Sequence, residues 1–289
     1  MKRKGMMLMA LAVVLTAGRG ATEEGGGAPP KEVRDLTQVF TERIMVVKGE
    51  GAAPSDRPLG GGQKRLMALR AAKIVALREL AETLSGVRVS GETCVQDAAA
   101  KSDQVKAAVD GTVRGAEVVH EAYDEQTEIG TVYVRISLDG PNGLTRSLLP
   151  TMIEQKAVPL PAAPQYAAPA APAAPAPAAT DALIIDATGK NFRPALINRV
   201  VTNNGSVLFE PSKIAPEILA KKGCGDYTSD LGKAKAIAAS HGAKNPLVIS
   251  AAGVVHSTDV QVSENDAAVI FTANQKGNFL EAAQVVFVL

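Results

Sequence analysis

Residues 157–180, AVPLPAAPQYAAPAAPAAPAPAAT, limit what this chain can fold into more than any other stretch. Pro159, Pro161, Pro164, Pro169, Pro172, Pro175 and Pro177 all fall inside it. Each proline removes a backbone donor and fixes φ, so neither a regular helix nor a central strand can run through. Polyproline II remains, rising ~3.1 Å per residue, and the stretched segment would reach on the order of 70 Å. Residues 155–181 are therefore expected to form an Ala/Pro-rich linker between two modules that need not touch. The 289-residue length leaves room for two modest domains.

The N-terminus reads as an export signal. Lys2, Arg3 and Lys4 precede an unbroken apolar run from Met6 to Leu15, followed by the small residues Thr16, Ala17 and Gly18. Basic head, apolar core and small-residue exit are the parts of a secretory signal. The run falls far short of the ~20 apolar residues needed to span a bilayer. Residues 1–20 are assigned to a signal peptide and 21–38 to a disordered tail. The expected destination is the periplasm or the periplasmic face of the outer membrane. Leu15-Thr16-Ala17-Gly18 resembles the lipobox of bacterial lipoproteins, in which a lipid-bearing cysteine comes next. Here Arg19 comes next, and a guanidinium cannot take that thioether. Cutting after Gly18 or Gly20 leaves an unlipidated protein, and Arg19→Cys is expected to restore anchoring.

Charge and composition exclude some functions. Lys plus Arg is 31 and Asp plus Glu is 30. The balance holds locally, with 16 basic and 17 acidic residues over 31–150 and 10 of each over 181–289. A nucleic-acid binder would show a basic module, so no nucleic-acid partner is expected. Aromatics are 3% and Trp is absent, which leaves few rings for stacking on bases.

Module one is expected over residues 39–154, with lead-in from Lys31. A strand is predicted over Val39–Lys48. A long helix is predicted over Gln63–Leu84, with a stripe of Leu66, Leu69, Lys73, Leu77, Leu80 and Leu84 flanked by alanines. Gly86 is placed as its left-handed stop. A strand over Val87–Val95, a helix over Asp97–Val109, and a hairpin of Ala116–Tyr123 with Thr131–Leu138 follow. Module two is expected over 182–289. Its predicted parts are a strand at Leu183–Ile185, a hairpin around Asn203-Asn204-Gly205, and a helix capped by Ser229-Asp230 and stopping at Gly242. An apolar strand over Pro246–Val255, a short strand over Asp259–Val262, a helix started by Ser263 and Asp266, and a buried strand over Gln284–Leu289 complete it. The fold class is α+β: two small modules, each a sheet packed by helices.

No residue set reads as catalytic, cofactor-binding or metal-binding. His120, His241 and His256 lack ligand partners at helical or hairpin spacing. Gly60-Gly61-Gly62-Gln63-Lys64-Arg65 precedes a helix but lacks the Ser or Thr of a phosphate loop. Asp186, at a strand end, reads as a turn former before it reads as a lone catalytic carboxylate. Cys94 and Cys224 make no zinc site. They read as isolated thiols, with pairing in an oxidising compartment as the alternative.

One resemblance adds to this. Gln63 to Lys73, then Leu77-Arg78-Glu79-Leu80-Ala81-Glu82 and Gly86-Val87-Arg88-Val89, look like the LPP-twenty type of bacterial outer-membrane lipoprotein. Thr112 to Val119 and Val132-Tyr133-Val134-Arg135-Ile136 match that family's later segment. The same stretch, roughly 39–140, is similar to the N-terminal domain of the flagellar protein that assembles the basal-body H ring. The resemblance implies a non-enzymatic envelope structural or assembly role, with envelope proteins as partners and no cofactor. A periplasmic module binding a small ligand or a partner is the alternative.

Overall fold

The computed structural model describes residues 28–56, 58–167 and 179–289. The export signal, residues 21–27 of the tail assigned to 21–38, and residues 168–178 lie outside those residues. The rest of that tail is not disordered, since Val33 is buried and bridges Val46 and a helix begins at Leu36. The chain is an α+β protein of two modules that divide near residue 182.

The first module begins with helix α1 (Leu36–Glu42) and strand β1 (Ile44–Ala52), where the sequence pattern predicts strand alone. Asp35 accepts a hydrogen bond from Gln38 N (2.9 Å) and opens the helix. Arg43, at φ 58°, closes it and turns the chain into β1. The long helix is α2 (Gly61–Ser85). After it come the short hairpin β2 (Arg88–Ser90) and β3 (Thr93–Cys94), turned at Gly91 with φ 56°. The single predicted helix over Asp97–Val109 is two helices, α3 (Val95–Lys101) and α4 (Asp103–Arg114). Ser102 breaks them apart by taking extended dihedrals and capping α4 with its hydroxyl. Strands β4 (Glu117–Asp124) and β5 (Ile129–Ser137) form the expected hairpin, and α5 (Leu144–Glu154) is a helix the sequence reading lacks.

The sheet runs β1-β5-β4, all antiparallel. How α2 sits on it differs from the predicted leucine stripe. Ala68, Ala72 and Ala76 face the sheet fully buried, whereas Leu66 is 64% exposed. The reason lies in the sheet's floor. A Cβ at Gly49 would come 2.8 Å from Ala76 Cα, and one at Gly130 would come 2.7 Å from Ala68 C. Glycine below alanine lets backbone approach backbone, so the small-residue stripe becomes the core face. Leu80 and Leu84, beyond the glycines, are fully buried, and Leu69 and Leu77 are half-buried against the core. Gly86 has φ −80° and ends the helix without a left-handed residue.

The second module holds two four-stranded sheets. One contains β6 (Ala182–Asp186), β9 (Asp226–Thr228), β10 (Pro246–Ser250) and β13 (Val285–Val288), ordered β10-β6-β13-β9 and parallel throughout. Chain-terminal β13 lies inside it and is buried on both faces, as a continuous apolar run requires. The other sheet contains β7 (Arg199–Thr202), β8 (Val207–Phe209), β11 (Gly253–Val255) and β12 (Asp259–Val262), ordered β11-β12-β7-β8. The predicted strand over 246–255 is thus split between two sheets, leaving its partner at Ala251-Ala252. Helices α6 (Pro216–Lys222), α7 (Leu231–Ser240) and α8 (Glu264–Gly277) cover the sheets. The Asp230 and Ser263 caps are formed, and Gly205 and Gly242 take positive φ in their turns.

The described ends of the Ala/Pro segment lie against the second module. Val207 N donates to Pro164 O (2.8 Å) and Tyr166 N to Val207 O (2.9 Å), extending the sheet at β8. Tyr166 meets Phe271 edge-on at 5.6 Å. Thr180 is buried beside α8.

Candidate functional site

The densest set of buried polar groups lies where the two modules meet, and they do meet: one continuous apolar core draws residues from both. Helix α1 of the first module packs on β9 of the second, and α5 packs on α6. Phe40, Tyr227 and Phe287 form an aromatic column across the seam. Phe40 is edge-on to Tyr227 at 5.3 Å, and Tyr227 is stacked on Phe287 at 5.6 Å.

Beside this column Arg43 joins the modules. Its guanidinium holds Asp139 with two of its nitrogens, Nε at 2.7 Å from Oδ2 and Nη2 on Oδ1. It donates to the Lys222 carbonyl of the second module (3.3 Å) and lies 3.8 Å from Asp226 on β9. Burial opposes the cation, but the Asp139 hydrogen bonds and the neighbouring carboxylates outweigh it and hold Arg43 above its ordinary pKa. Burial raises Asp226 above the usual aspartate range, offset only in part by Arg43 and His241. His241 Nδ1 is 3.4 Å from Asp226 Oδ2.

A second contact uses the β2–β3 hairpin. Leu196 N donates to Arg88 O (3.0 Å) and Ile197 N to Val89 O (2.8 Å), in the manner of an added strand. Gly91 N donates to Thr258 Oγ1 (2.7 Å), and Ser257 Oγ to Glu92 Oε1 (2.9 Å). The Ser257 and Arg88 hydrogen bonds lower the Glu92 pKa.

Behind the seam Asn198 is fully buried and committed on both atoms of its amide. Its Oδ1 accepts from Ala195 N (3.0 Å), and its Nδ2 donates to Thr258 O (2.6 Å) and Arg193 O (3.2 Å). Tyr227 Oη reaches both Ala195 O (2.7 Å) and Asn198 Oδ1, and burial pushes its pKa far up. Arg199 and Asp259, opposite each other on β7 and β12, form a buried ion pair with Nη2 2.5 Å from Oδ2. Arg199 Nη1 donates to Pro161 O (2.9 Å), which fixes the Ala/Pro segment to the module. Asp259 Oδ1 has no hydrogen-bond partner.

The residues weighed in the sequence fall in scattered places. His120 stands on the open face of β4, edge-on to Tyr133 at 5.6 Å. His241 ends α7 at the seam, and His256, in the β11–β12 turn at φ 51°, has Nδ1 3.4 Å from Asp259 Oδ2. Asp186 accepts from Thr188 N (3.0 Å), a turn-forming bond, and the Thr188 hydroxyl and N–H together lower its pKa. Gly60 caps α2, and Lys64 pairs with Glu128 at 2.5 Å. Cys94 and Cys224 are both free thiols. Cys224 is buried, and desolvation pushes it up to about 12. Among the described residues, no group of three or more His, Cys, Asp or Glu could hold a metal ion. Among those residues no helix is long and apolar enough to cross a membrane.

Sequence reading passed over Arg43, Asn198, Arg199, Asp226 and Asp259. A signal existed for those placed in predicted strands, Arg199 most clearly because its neighbours Val200 and Val201 are apolar, since a charge on a buried strand requires a partner.

A cleft of ≈ 500 Å³ opens beside the seam, lined by Thr41, Glu42, Thr228, Ser229, Lys233 and Ser240 among others. No curated protein matches the chain. Residues 182–289 match a family described as the second domain of Treponema pallidum Tp0624, so the second module is similar to a domain found within that protein.

Proposed function

We propose that this chain is a non-enzymatic structural or assembly protein of the cell envelope, working as one rigid two-module adaptor, with a link to the flagellar base as its most specific form. The observation that carries this reading is the seam. Its polar groups are spent on joining one module to the other: half-buried Arg43, held in place by Asp139, reaches the Lys222 carbonyl and Asp226, and exposed Glu92 accepts from Ser257. A catalytic site needs an acid, base or nucleophile free to face a substrate. The basic head and apolar run at residues 2–15 support export. The similarity of residues 182–289 to the second domain of another protein supports a part that works alongside other domains.

Fractionation of cells producing the chain, followed by crosslinking in intact envelopes, tests the proposal. Recovery from the periplasm, crosslinked to a discrete envelope protein, supports it. Retention in the cytoplasm, or an envelope fraction with no crosslinked partner and unchanged envelope integrity and motility on deletion, sinks it.

A second reading, a module binding a small ligand, draws on the cleft beside the seam. Its walls carry Glu42, Lys233 and several hydroxyls, the mixture of polar groups by which a pocket orients a ligand. Ligand-dependent protection of Lys233 from acylation would favour it.

A further inference from the structure

The alanine–glycine packing of α2 has a consequence on the helix's other side. Because alanines meet the sheet, Leu66 and Ile74 are displaced outward. Leu66 at 64% and Ile74 at 56% are the most exposed large apolar residues among those described. They lie two helical turns apart, about 12 Å along the axis, with Arg70 midway on the same face. Lys73, Arg78 and half-buried Leu77 flank the line.

The charge on this face has one sign. From Gly61 to Arg78 the helix carries Lys64, Arg65, Arg70, Lys73 and Arg78 and no Asp or Glu. Lys64 is paired with Glu128. Arg70, Lys73 and Arg78 form no ion pair among the described residues. The whole-module balance of acid and base conceals this local excess.

We propose that the outer face of α2 docks on an anionic lipid bilayer. Two protruding apolar residues ringed by cations on a convex helix form the pattern of an interfacial helix: the apolar tips enter the acyl boundary while Lys and Arg reach the phosphates. A second copy of the chain would bring the same cations against these, and like charges repel. A bare polyanion would use the cations but leave Leu66 and Ile74 without a partner.

The test measures partition of the purified signal-free chain onto vesicles of phosphatidylcholine alone and of phosphatidylcholine with phosphatidylglycerol. Binding is expected only where phosphatidylglycerol is present. Neutralising three cations together, Arg70→Gln, Lys73→Gln and Arg78→Gln, is expected to lower the partition coefficient on the order of 100-fold. The pair Leu66→Ser and Ile74→Ser is expected to lower it about tenfold. All five positions face solvent, so circular dichroism and thermal melting are expected to stay at wild type; if the serine pair unfolds, Leu66→Ala with Ile74→Ala replaces it. Three results would overturn the proposal: equal binding to both vesicles; binding that the serine pair leaves unchanged while heparin competes it away; or no vesicle binding at all, which would leave an acidic protein as the occupant.

Discussion

Phe40 of the first module stands edge-on to Tyr227 of the second, ring centroids 5.3 Å apart, with both rings buried. One aromatic contact therefore belongs to both cores. Phe40→Ala is expected to destabilise by about 3–5 kcal/mol, the usual cost of emptying a buried aromatic site. Because the site is shared, the loss should separate what melts together. Calorimetry is expected to give one transition for wild type and two for the variant, and two transitions in wild type would contradict a shared core.

The carboxyl of Asp226 gives the seam a pH dependence of definite sign. Its pKa is raised by burial, with Arg43, His241, Lys222 and Asp139 as the charged groups around it. Between the ordinary and the raised value the folded protein therefore holds a proton that the unfolded chain has already released. Stability contributed here is fully present below the ordinary aspartate value, about 4. It is lost as pH rises through the raised value. Asp226→Asn is expected to flatten that decline. Urea titrations from acid to neutral pH check it, and parallel slopes for variant and wild type would exclude Asp226 as the source.

Gly49 and Gly130 set the distance between α2 and the sheet. Gly49→Val would drive a branched side chain into the backbone at Ala76, since even a Cβ would come 2.8 Å from its Cα. A cost of about 3 kcal/mol or more is expected, because backbone cannot yield as a side-chain tip does. Chemical denaturation measures it. A loss below 1 kcal/mol, as order-of-magnitude expectations for surface sites run, would mean the helix rides higher than described.

The two thiols are expected to differ sharply toward alkylation. Cys224 is buried with its pKa pushed up to about 12, so it stays protonated at neutral pH. Cys94 is part-exposed and donates to Asp97 Oδ2 (3.0 Å). Iodoacetamide is expected to add one label to the native protein and two after denaturation, read by intact mass.

Most strands and the caps of the second module, β9 and the break between β10 and β11 excepted, were legible because their signals are local: Asn-Gly for a turn, Asp230 and Ser263 for helix starts, an apolar run for β13. The face of α2 was not. Helical spacing marks Leu66 as core, and only the glycines of β1 and β5, distant in sequence, make the alanines the better fit. The seam was illegible for a similar reason. Arg43 and Asp226 are separated by most of the chain, and neither carries a motif. The prolines disfavour helix and central strand, but they do not prevent Pro164 and Tyr166 from bonding to the edge at β8. That is how a segment with the composition of a spacer comes to lie partly on the module it precedes.

The central claim is that noncovalent contacts, at the seam and along residues 161–166, and not the covalent connection, hold the modules together. A protease site placed within residues 168–178 and cut in the purified protein tests it directly. The two fragments are expected to co-elute as one species and to part only in denaturant. Separation of the fragments under native conditions would contradict the claim.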